Sequence, residues 1–243
     1  MRLTRCHVQC ALHEGSVATL PDDVAAHLLR VLRLQIGDRC VLFNGDGYDY
    51  SARITKIGKH SAEVEIESGR LLENESPLHI TLLQGIARGE KMDWILQKST
   101  ELGVTRFLPV FSERSEVKLD AQRAEKRLAH WREVVISACE QSGRARVPEV
   151  VAPQPLANAA ARIDGLGFVL DPEATLSLQR AQLATTSGCT LAIGPEGGWS
   201  ERDLDKLHAA GFTGLRLGPR ILRTETAGIA AISALQMLHG DLG

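Results

Sequence analysis

Two glycine-rich loops in the C-terminal part of the chain carry residue types that could hold a ligand. In the first, an apolar run ends in GPEGG (194–198), and Ser200 then stands one residue before a charged helical run. In the second, LRLGP (215–219) leads to a helix-like run that starts at Thr224. Ligands of parallel α/β sheets bind outside the carboxyl ends of the strands, where glycine lets the backbone approach closely. A plain tight turn would explain either loop alone, but two such loops at one sheet edge predict a shared pocket.

The sequence of these loops also limits the kind of ligand. Neither matches the dinucleotide-binding pattern GxGxxG or the phosphate-binding pattern GxxxxGK[ST]. A nicotinamide or a nucleoside triphosphate is therefore poorly supported, and a cofactor held by backbone groups fits better. Ser200 is well placed as a helix N-cap, with Asp203 three residues later forming an imperfect capping box.

The elements around the loops predict an α/β domain. From residue 78 onward, strand-like runs such as GFVLD (167–171) and TLAIG (190–194) alternate with helix-like runs such as EKMDWILQKSTELG (90–103). This alternation is typical of parallel βα units with helices on both faces of a sheet. The two quoted strand runs are almost entirely apolar, as expected of central strands buried on both sides.

The first part of the chain has a different pattern. Short segments there alternate apolar and polar residues around glycine turns, which predicts a small β-rich barrel or sandwich. One helix is expected at DVAAHLLRVLRL (23–34), and the polar stretch ENESP (73–77) is the best candidate for a boundary. We therefore predict two domains, 1–73 and 74–243.

The composition is that of an ordinary globular protein, with 44% apolar and 24% charged residues. The net charge of −2 shows no overall basic excess, so any contact with RNA must come from a local patch. Five scattered cysteines indicate reduced thiols rather than a disulfide framework, and no complete zinc-ligand pattern is present. We expect no metal, no membrane span and no signal peptide, and hence a cytoplasmic protein.

The motifs together resemble a known family. GPEGGWS (194–200) followed by LGPRILRTETA (217–227) is similar to the C-terminal signature of the SPOUT RNA methyltransferases. With KMDWILQKSTELGV (91–104), CEQSGRARVPEV (139–150) and the N-terminal Arg5 with HLLRVLRLQIGD (27–38), the chain looks most like the RsmE family. That family methylates N3 of a uridine in bacterial 16S ribosomal RNA. GPEGG alone would point only to the wider SPOUT class.

This resemblance implies a fold and a cofactor. The expected fold is a PUA-like β-barrel followed by a SPOUT α/β domain with a deep trefoil knot, paired as a homodimer through the knotted domain. Small residues of the last helix, among them Ala227, Gly228 and Ala231, agree with close packing of helices, although a buried core helix of a monomer would show the same pattern. The cofactor would be S-adenosyl-L-methionine. The residues expected to bind it are Leu170, Ile193, Gly194, Pro195, Glu196, Gly197, Gly198, Leu217, Gly218, Ile221, Leu222, Thr224 and Ala227.

Arg223 and Glu225 are the residues that we expect to act in catalysis. Attack by uridine N3 requires loss of its weakly acidic proton, and a fixed cation near O2 or O4 would stabilise the resulting anion. Arg223 is the first candidate for that cation, unless it forms an ion pair with Glu225 or Glu196. Either glutamate could be the general base or could instead accept backbone hydrogen bonds and shape the site.

RNA is expected to bind through basic residues outside the glycine loops. His27, Arg30 and Arg33 are three residues apart and would share one side of the predicted helix, where they would form a phosphate-binding patch with Arg5. A solvated helix face explains the same spacing, and only the resemblance favours RNA. Two residues of a basic loop after the long helix complete the set of candidates: Arg144 and Arg146.

Three functions remain open at this point. The leading one is S-adenosylmethionine-dependent methylation of uridine N3 in the decoding region of 16S ribosomal RNA in the small subunit. The second is a SPOUT methyltransferase that acts on tRNA or on ribose, and the third is a non-catalytic RNA-binding protein of ribosome assembly. The expected partners are 16S ribosomal RNA or the small subunit and a second copy of the chain, with no DNA and no membrane.

Overall fold

The chain divides into two units, described here from a computed structural model. The described residues are 3–59, 61–163, 165–180 and 188–243. Unit 1 contains Met1–Glu75 together with Cys139–Val147, and unit 2 contains Ser76–Ala138 and Pro148–Gly243. The segment Cys139–Val147 therefore groups with the N-terminal residues, although the sequence pattern offered no reason to separate it from the residues around it.

Unit 1 is built on a five-stranded sheet with the strand order β1-β3-β4-β5-β2. Its strands are β1 (Arg5–His7), β2 (Val17–Leu20), β3 (Arg39–Phe43), β4 (Tyr48–Ile57) and β5 (Ala62–Leu71). The pairs β3–β4, β4–β5 and β2–β5 are antiparallel, whereas β1 runs parallel to β3. Alternating residues of β4, such as Ala52 and Ile54, point into the apolar core of the unit. The predicted β-rich character is confirmed, and in the described residues the sheet has β1 and β2 as its two edges.

The helical segment of unit 1 is shorter than the sequence predicts. Helix α1 spans Asp22–Ala26 and continues as a π-helical turn over His27–Val31. The chain then leaves the helix, because Arg33 has a φ of +57°, the left-handed conformation that stops helical propagation. The expected arrangement of His27, Arg30 and Arg33 on one helix face is therefore wrong for Arg33.

Unit 2 contains a seven-stranded sheet in which every pair is parallel, as the alternation of strand-like and helix-like runs predicts. The order is β12-β10-β11-β6-β7-β8, and β9 also pairs with β7. The strands are β6 (Ile80–Gly85), β7 (Val104–Phe111), β8 (Glu149–Val150), β9 (Gln154–Pro155), β10 (Leu166–Leu170), β11 (Cys189–Ile193) and β12 (Phe212–Leu215). Strands β10 and β11 lie inside the sheet, and every residue of β11 is buried, as its unbroken apolar run predicts.

Five α-helices accompany this sheet among the described residues: α2 (Glu90–Glu101), α3 (Ala121–Ser142), α4 (Leu156–Ala160), α5 (Glu201–Ala209) and α6 (Thr224–His239). The start of α5 is fixed as predicted. The Ser200 side chain accepts a hydrogen bond from the Asp203 N–H at 3.1 Å, and the Asp203 carboxylate accepts one from the Ser200 N–H. This complete capping box holds the end of the first glycine loop.

Candidate functional site

A cavity of about 560 Å³ lies in unit 2 where β10, β11 and β12 end and α6 begins. This volume falls within the roughly 300–1,000 Å³ of ordinary small-molecule sites. Three segments form most of its wall: 170–172, 193–199 and 215–225. The two glycine loops thus converge on one pocket at the carboxyl edge of a parallel sheet, the place where such folds bind ligands.

The first glycine loop packs against the neighbouring strand with no space for a side chain between them. A Cβ atom added to Gly85, the last residue of β6, would lie 2.5 Å from the Pro195 Cδ and 2.6 Å from the Pro195 nitrogen. Gly198 has a φ of +68°, and its N–H donates to the Pro195 carbonyl at 2.8 Å, which closes a tight turn. Both positions therefore require glycine, one for close approach and one for backbone conformation.

A buried hydrogen-bond network joins the first loop to the start of α6. The Thr224 hydroxyl donates to the Gly194 carbonyl at 2.6 Å and accepts from the Gln84 amide at 3.0 Å. The same Gln84 nitrogen donates to the Gly85 carbonyl at 2.8 Å. Because Gln84 and Thr224 are both buried, these bonds are shielded from competition with water. Sequence reasoning did not find Gln84, since its partner Thr224 is distant along the chain.

Glu196 ties the first loop to α2. Its carboxylate accepts a hydrogen bond from the Arg88 N–H at 3.1 Å and pairs with the Lys91 ammonium at 3.0 Å. Burial alone would raise the pKa of this carboxyl. The hydrogen bonds from its own backbone, from Lys91 and from Arg88 outweigh that effect and lower the pKa below its usual value of 4.5. Glu196 therefore stays ionised at neutral pH and serves as an anchor of the loop.

Arg223 and Glu225 both line the cavity but differ in their environments. The Arg223 side chain is exposed, and in the described part of the chain it forms no ion pair with Glu196 or Glu225. Glu225 is half-buried, and its Oε2 atom is shielded from solvent with no hydrogen-bond partner among the described residues. A shielded carboxylate oxygen without a partner is costly, which makes Glu225 a candidate for contact with a bound molecule.

The cavity brings together every residue that the sequence assigned to the cofactor. Leu170, residues 193–198, Leu217, Gly218, Ile221, Leu222, Thr224 and Ala227 all line it. Further lining residues were not singled out from the sequence, although several of them lie within the quoted motifs. They include Lys91, Arg114, Asp171, Trp199, Arg216 and Arg220.

Arg5 has a different role from the predicted phosphate contact. Its guanidinium is buried in unit 1, where it pairs with Asp49 at 2.6 Å and donates to the carbonyls of Cys139 and Arg144 at 2.8 and 3.2 Å. It also lies over the Phe43 ring, 4.6 Å from the centroid. Since its donors already have partners inside the unit, Arg5 holds the end of α3 and the segment after it against the sheet of unit 1.

Arg144 is likewise an internal residue. Only 5% of it is exposed, and its guanidinium forms a two-pronged ion pair with Glu75, with distances of 3.1 and 2.5 Å. The other basic candidates of unit 1 are on the surface: His27, Arg30, Arg33 and Arg146. Burial therefore divides the six predicted RNA-binding residues into two structural arginines and four accessible side chains.

The described residues contain no candidate metal site and no candidate membrane-spanning helix. No group of three or more His, Cys, Asp or Glu side chains is arranged to hold a metal ion there. No described helix is both long and apolar enough to cross a membrane. All five cysteines are free thiols.

Comparison with known proteins agrees with this geometry. Residues 74–236 match the family model described as an RNA methyltransferase domain, and residues 20–67 match an RNA methyltransferase PUA domain. A protein of Buchnera aphidicola (subspecies Schizaphis graminum), named ribosomal RNA small subunit methyltransferase E, is 37% identical and covers 99% of this chain and 98% of its own length. Its Bacillus subtilis counterpart is 29% identical, with 95% of each chain covered.

Solved structures show the same fold. The ribosomal RNA small subunit methyltransferase E of Neisseria gonorrhoeae, bound to S-adenosyl methionine, is 43% identical with a TM-score of 0.92, and 100% of each chain is covered. A putative methyltransferase of Legionella pneumophila in complex with the same cofactor is 37% identical with a TM-score of 0.93, again over 100% of each chain. Family models match both domains, and a relative 37% identical matches over nearly the full length. The chain therefore belongs to the ribosomal RNA small subunit methyltransferase E family of RNA methyltransferases.

Proposed function

We propose that this protein transfers a methyl group from S-adenosyl-L-methionine to N3 of a uridine in the decoding region of 16S ribosomal RNA. The observation that carries the proposal is the convergence of the two glycine loops on one cavity, whose wall contains Arg223 and a Glu225 oxygen that have no partner among the described residues. Relatives with this fold bind the same cofactor. The substrate, an RNA of the small ribosomal subunit, would be met in the cytoplasm.

The cavity suits a cofactor that is recognised by backbone groups and apolar contact. Leu170, Ile193 and Leu222 supply apolar walls for an adenine ring. The backbone of 194–198 and 217–222 supplies donors and acceptors for its polar edge, because the glycines leave that backbone uncovered. The network of Gln84 and Thr224 fixes the first loop before the ligand arrives, so little ordering remains to be done on binding.

The chemistry divides between the cofactor and the chain. When bound, S-adenosylmethionine supplies an electrophilic methyl group on its sulfonium. The uridine N3–H loses its proton, the N3 electron pair forms the new bond to the methyl carbon, and the carbon–sulfur bond breaks. The chain holds the base in line with the methyl group, and the Glu225 carboxylate receives the proton directly or through water. Arg223 stabilises the negative charge that develops on the uracil oxygens.

Arg223→Ala is expected to reduce turnover strongly while leaving the affinity for cofactor nearly unchanged. Loss of one preorganised donor to a developing anion costs roughly 10²–10³-fold in kcat. The measurement is single-turnover methyl transfer together with calorimetric titration of S-adenosylmethionine. Arg127→Ala is the matched control, because Arg127 is an exposed arginine of α3 that does not line the cavity. Normal turnover by Arg223→Ala would remove Arg223 from the mechanism.

The surface side chains of unit 1 are proposed to assist in RNA binding. Arg30, Arg33, His27 and Arg146 are accessible and can neutralise phosphates. Reversal of Arg30 and Arg33 to Glu is expected to weaken RNA binding far more than cofactor binding. An equal loss of both would indicate misfolding instead.

A trefoil knot and a homodimer complete the proposed architecture, by resemblance to the SPOUT class. The surface of α6 supports a protein partner, because Met237 and Leu238 are 57% and 50% exposed. Met237→Glu should shift the molecular mass measured by sedimentation from dimer to monomer. Met237→Leu, which keeps the surface apolar, should remain dimeric, and a monomeric wild-type protein would refute the dimer.

Methyl transfer to purified small ribosomal subunits tests the function directly. We expect tritium from labelled S-adenosylmethionine to appear in 16S RNA of subunits taken from cells that lack this protein, and not in subunits already modified. Labelling of tRNA or of ribose hydroxyls would favour the second candidate function. Failure to bind S-adenosylmethionine at all would favour the non-catalytic assembly protein.

A further inference from the structure

The cavity wall contains more positive charge than its own acidic groups compensate. Five cationic side chains line it: Lys91, Arg114, Arg216, Arg220 and Arg223. Lys91 pairs with Glu196, and Arg114 donates to the Gly197 carbonyl at 3.2 Å. Arg223 has a proposed task on the uracil ring. Arg216 and Arg220 therefore remain as two cations without an assigned partner.

Both arginines have an exposed side chain, and the backbone of Arg216 is anchored. The Arg216 N–H donates to the Leu176 carbonyl at 2.8 Å, which holds the chain in place just after β12. Arg220 follows the turn at Gly218, where φ is +110°. Their guanidinium groups form no hydrogen bond or ion pair with the described part of the protein. Exposed guanidinium groups without an internal partner are available to an external anion, and their planar fork suits phosphate.

The acidic residues of the same wall are Asp171, Glu196 and Glu225, and among the described residues none of them pairs with Arg216 or Arg220. Glu196 is engaged by Lys91 and the Arg88 N–H. Asp171 accepts the Glu173 N–H at 3.0 Å and forms no ion pair among the described residues. The cofactor itself carries a net positive charge, so its binding adds to the excess. An incoming anion would relieve the repulsion.

We propose that Arg216 and Arg220 bind backbone phosphates next to the target nucleotide of the RNA. This inference rests on the proposed function. It assigns the residues that contact the RNA strand at the mouth of the cavity. With the phosphates held at the rim, the target base can leave its stack and enter the cavity, while Arg223 remains available to the uracil oxygens. Arginine suits this contact, because its planar fork matches two phosphate oxygens.

The salt dependence of catalysis separates this role from a structural one. Methyl transfer to small subunits is measured over a series of salt concentrations for wild type, Arg216→Gln, Arg220→Gln and the double variant. Each lost phosphate contact should make the slope of log(kcat/KM) against log[salt] shallower by about 0.7, the value for single-stranded nucleic acid. We expect kcat/KM to fall about tenfold for each arginine at low salt, mainly through KM. Arg220→Lys should recover most of the slope, because a point charge still attracts phosphate.

Two controls make the outcome decisive. Arg127→Gln removes an equal charge from the exposed face of α3 and should keep the wild-type slope. The affinity for S-adenosylmethionine, measured without RNA, should stay within about twofold of wild type in both rim variants. An unchanged slope in the double variant, or a loss confined to cofactor affinity, would overturn the phosphate role. A wild-type protein that methylates no RNA would instead defeat the proposed function, so the two failures are distinguishable.

Discussion

Two groups of arginines in this protein stand in similar basic motifs but differ in burial and in ion-pair partners. Arg5 and Arg144 of unit 1 are buried, with ion pairs to Asp49 and Glu75. Arg220 and Arg223 at the cavity of unit 2 are exposed and have no acidic partner in the described residues. The comparison shows that a basic residue near a motif can be part of the scaffold or part of the site. Only its burial and its partners distinguish the two roles.

The largest expected effect comes from removing Arg5. Arg5→Ala removes the cationic partner of the Asp49 carboxylate and one donor each from the Cys139 and Arg144 carbonyls inside unit 1. Breaking one partner of a buried ion pair costs about 3–5 kcal/mol, so urea unfolding should show a loss of that size. Arg220→Ala, on the exposed rim, should change the free energy of unfolding by less than about 0.5 kcal/mol.

Arg5→Lys keeps the charge but loses the fork, and it provides a variant that still folds if the alanine does not. We expect an intermediate loss, because an ammonium cannot reach Asp49 and two carbonyls together. Equal stability of Arg5→Lys and wild type would contradict the structural role given to this guanidinium. We also expect a folded Arg5→Lys variant to bind RNA normally, because Arg5 is buried inside unit 1.

A smaller effect is expected from the buried network of unit 2. Thr224→Val removes the hydroxyl that joins Gly194 to Gln84 with almost no change in volume. Leaving buried polar partners unsatisfied costs about 1–3 kcal/mol, which we expect to appear as a loss of roughly tenfold or more in cofactor affinity. Thr226→Val is the matched control, since Thr226 is an exposed residue of the same helix. Thr224→Ser should restore binding, and equal affinity of the two valine variants would show that the network does not support the loop.

Much of this architecture could be predicted from local pattern, and most of the exceptions depend on residues that are distant along the chain. The parallel strands, the helices and the Ser200 capping box follow from periodicity and from residues close together in the chain. The burial of Arg5 depends on Cys139 and Arg144, and the role of Gln84 depends on Thr224. Such partners are more than one hundred residues apart, and a single sequence contains no signal that joins them. The π-helical turn and the left-handed Arg33 were also missed, because the apolar spacing of 23–34 continues past the point where the helix ends.

The smallest effect concerns the thiols, which report on each unit separately. Burial raises the pKa of the Cys6, Cys139 and Cys189 thiols to about 12 and that of Cys40 to about 11, whereas Cys10 is exposed. A thiol reagent at neutral pH should therefore label one cysteine in the native protein and five after denaturation. In Arg5→Ala, faster labelling should appear at Cys6 and Cys139 of unit 1 while Cys189 of unit 2 stays protected. Uniform labelling of all sites would show that the two units do not lose structure independently.

We propose that uridine N3 of 16S ribosomal RNA is methylated in this cavity. Nucleoside mass spectrometry of 16S RNA from cells with and without the protein is the direct test of this proposal. We expect 3-methyluridine to disappear in its absence, to return with the wild-type chain and not to return with Arg223→Ala. Persistence of 3-methyluridine in cells that lack the protein would contradict the account, whatever other nucleoside changed.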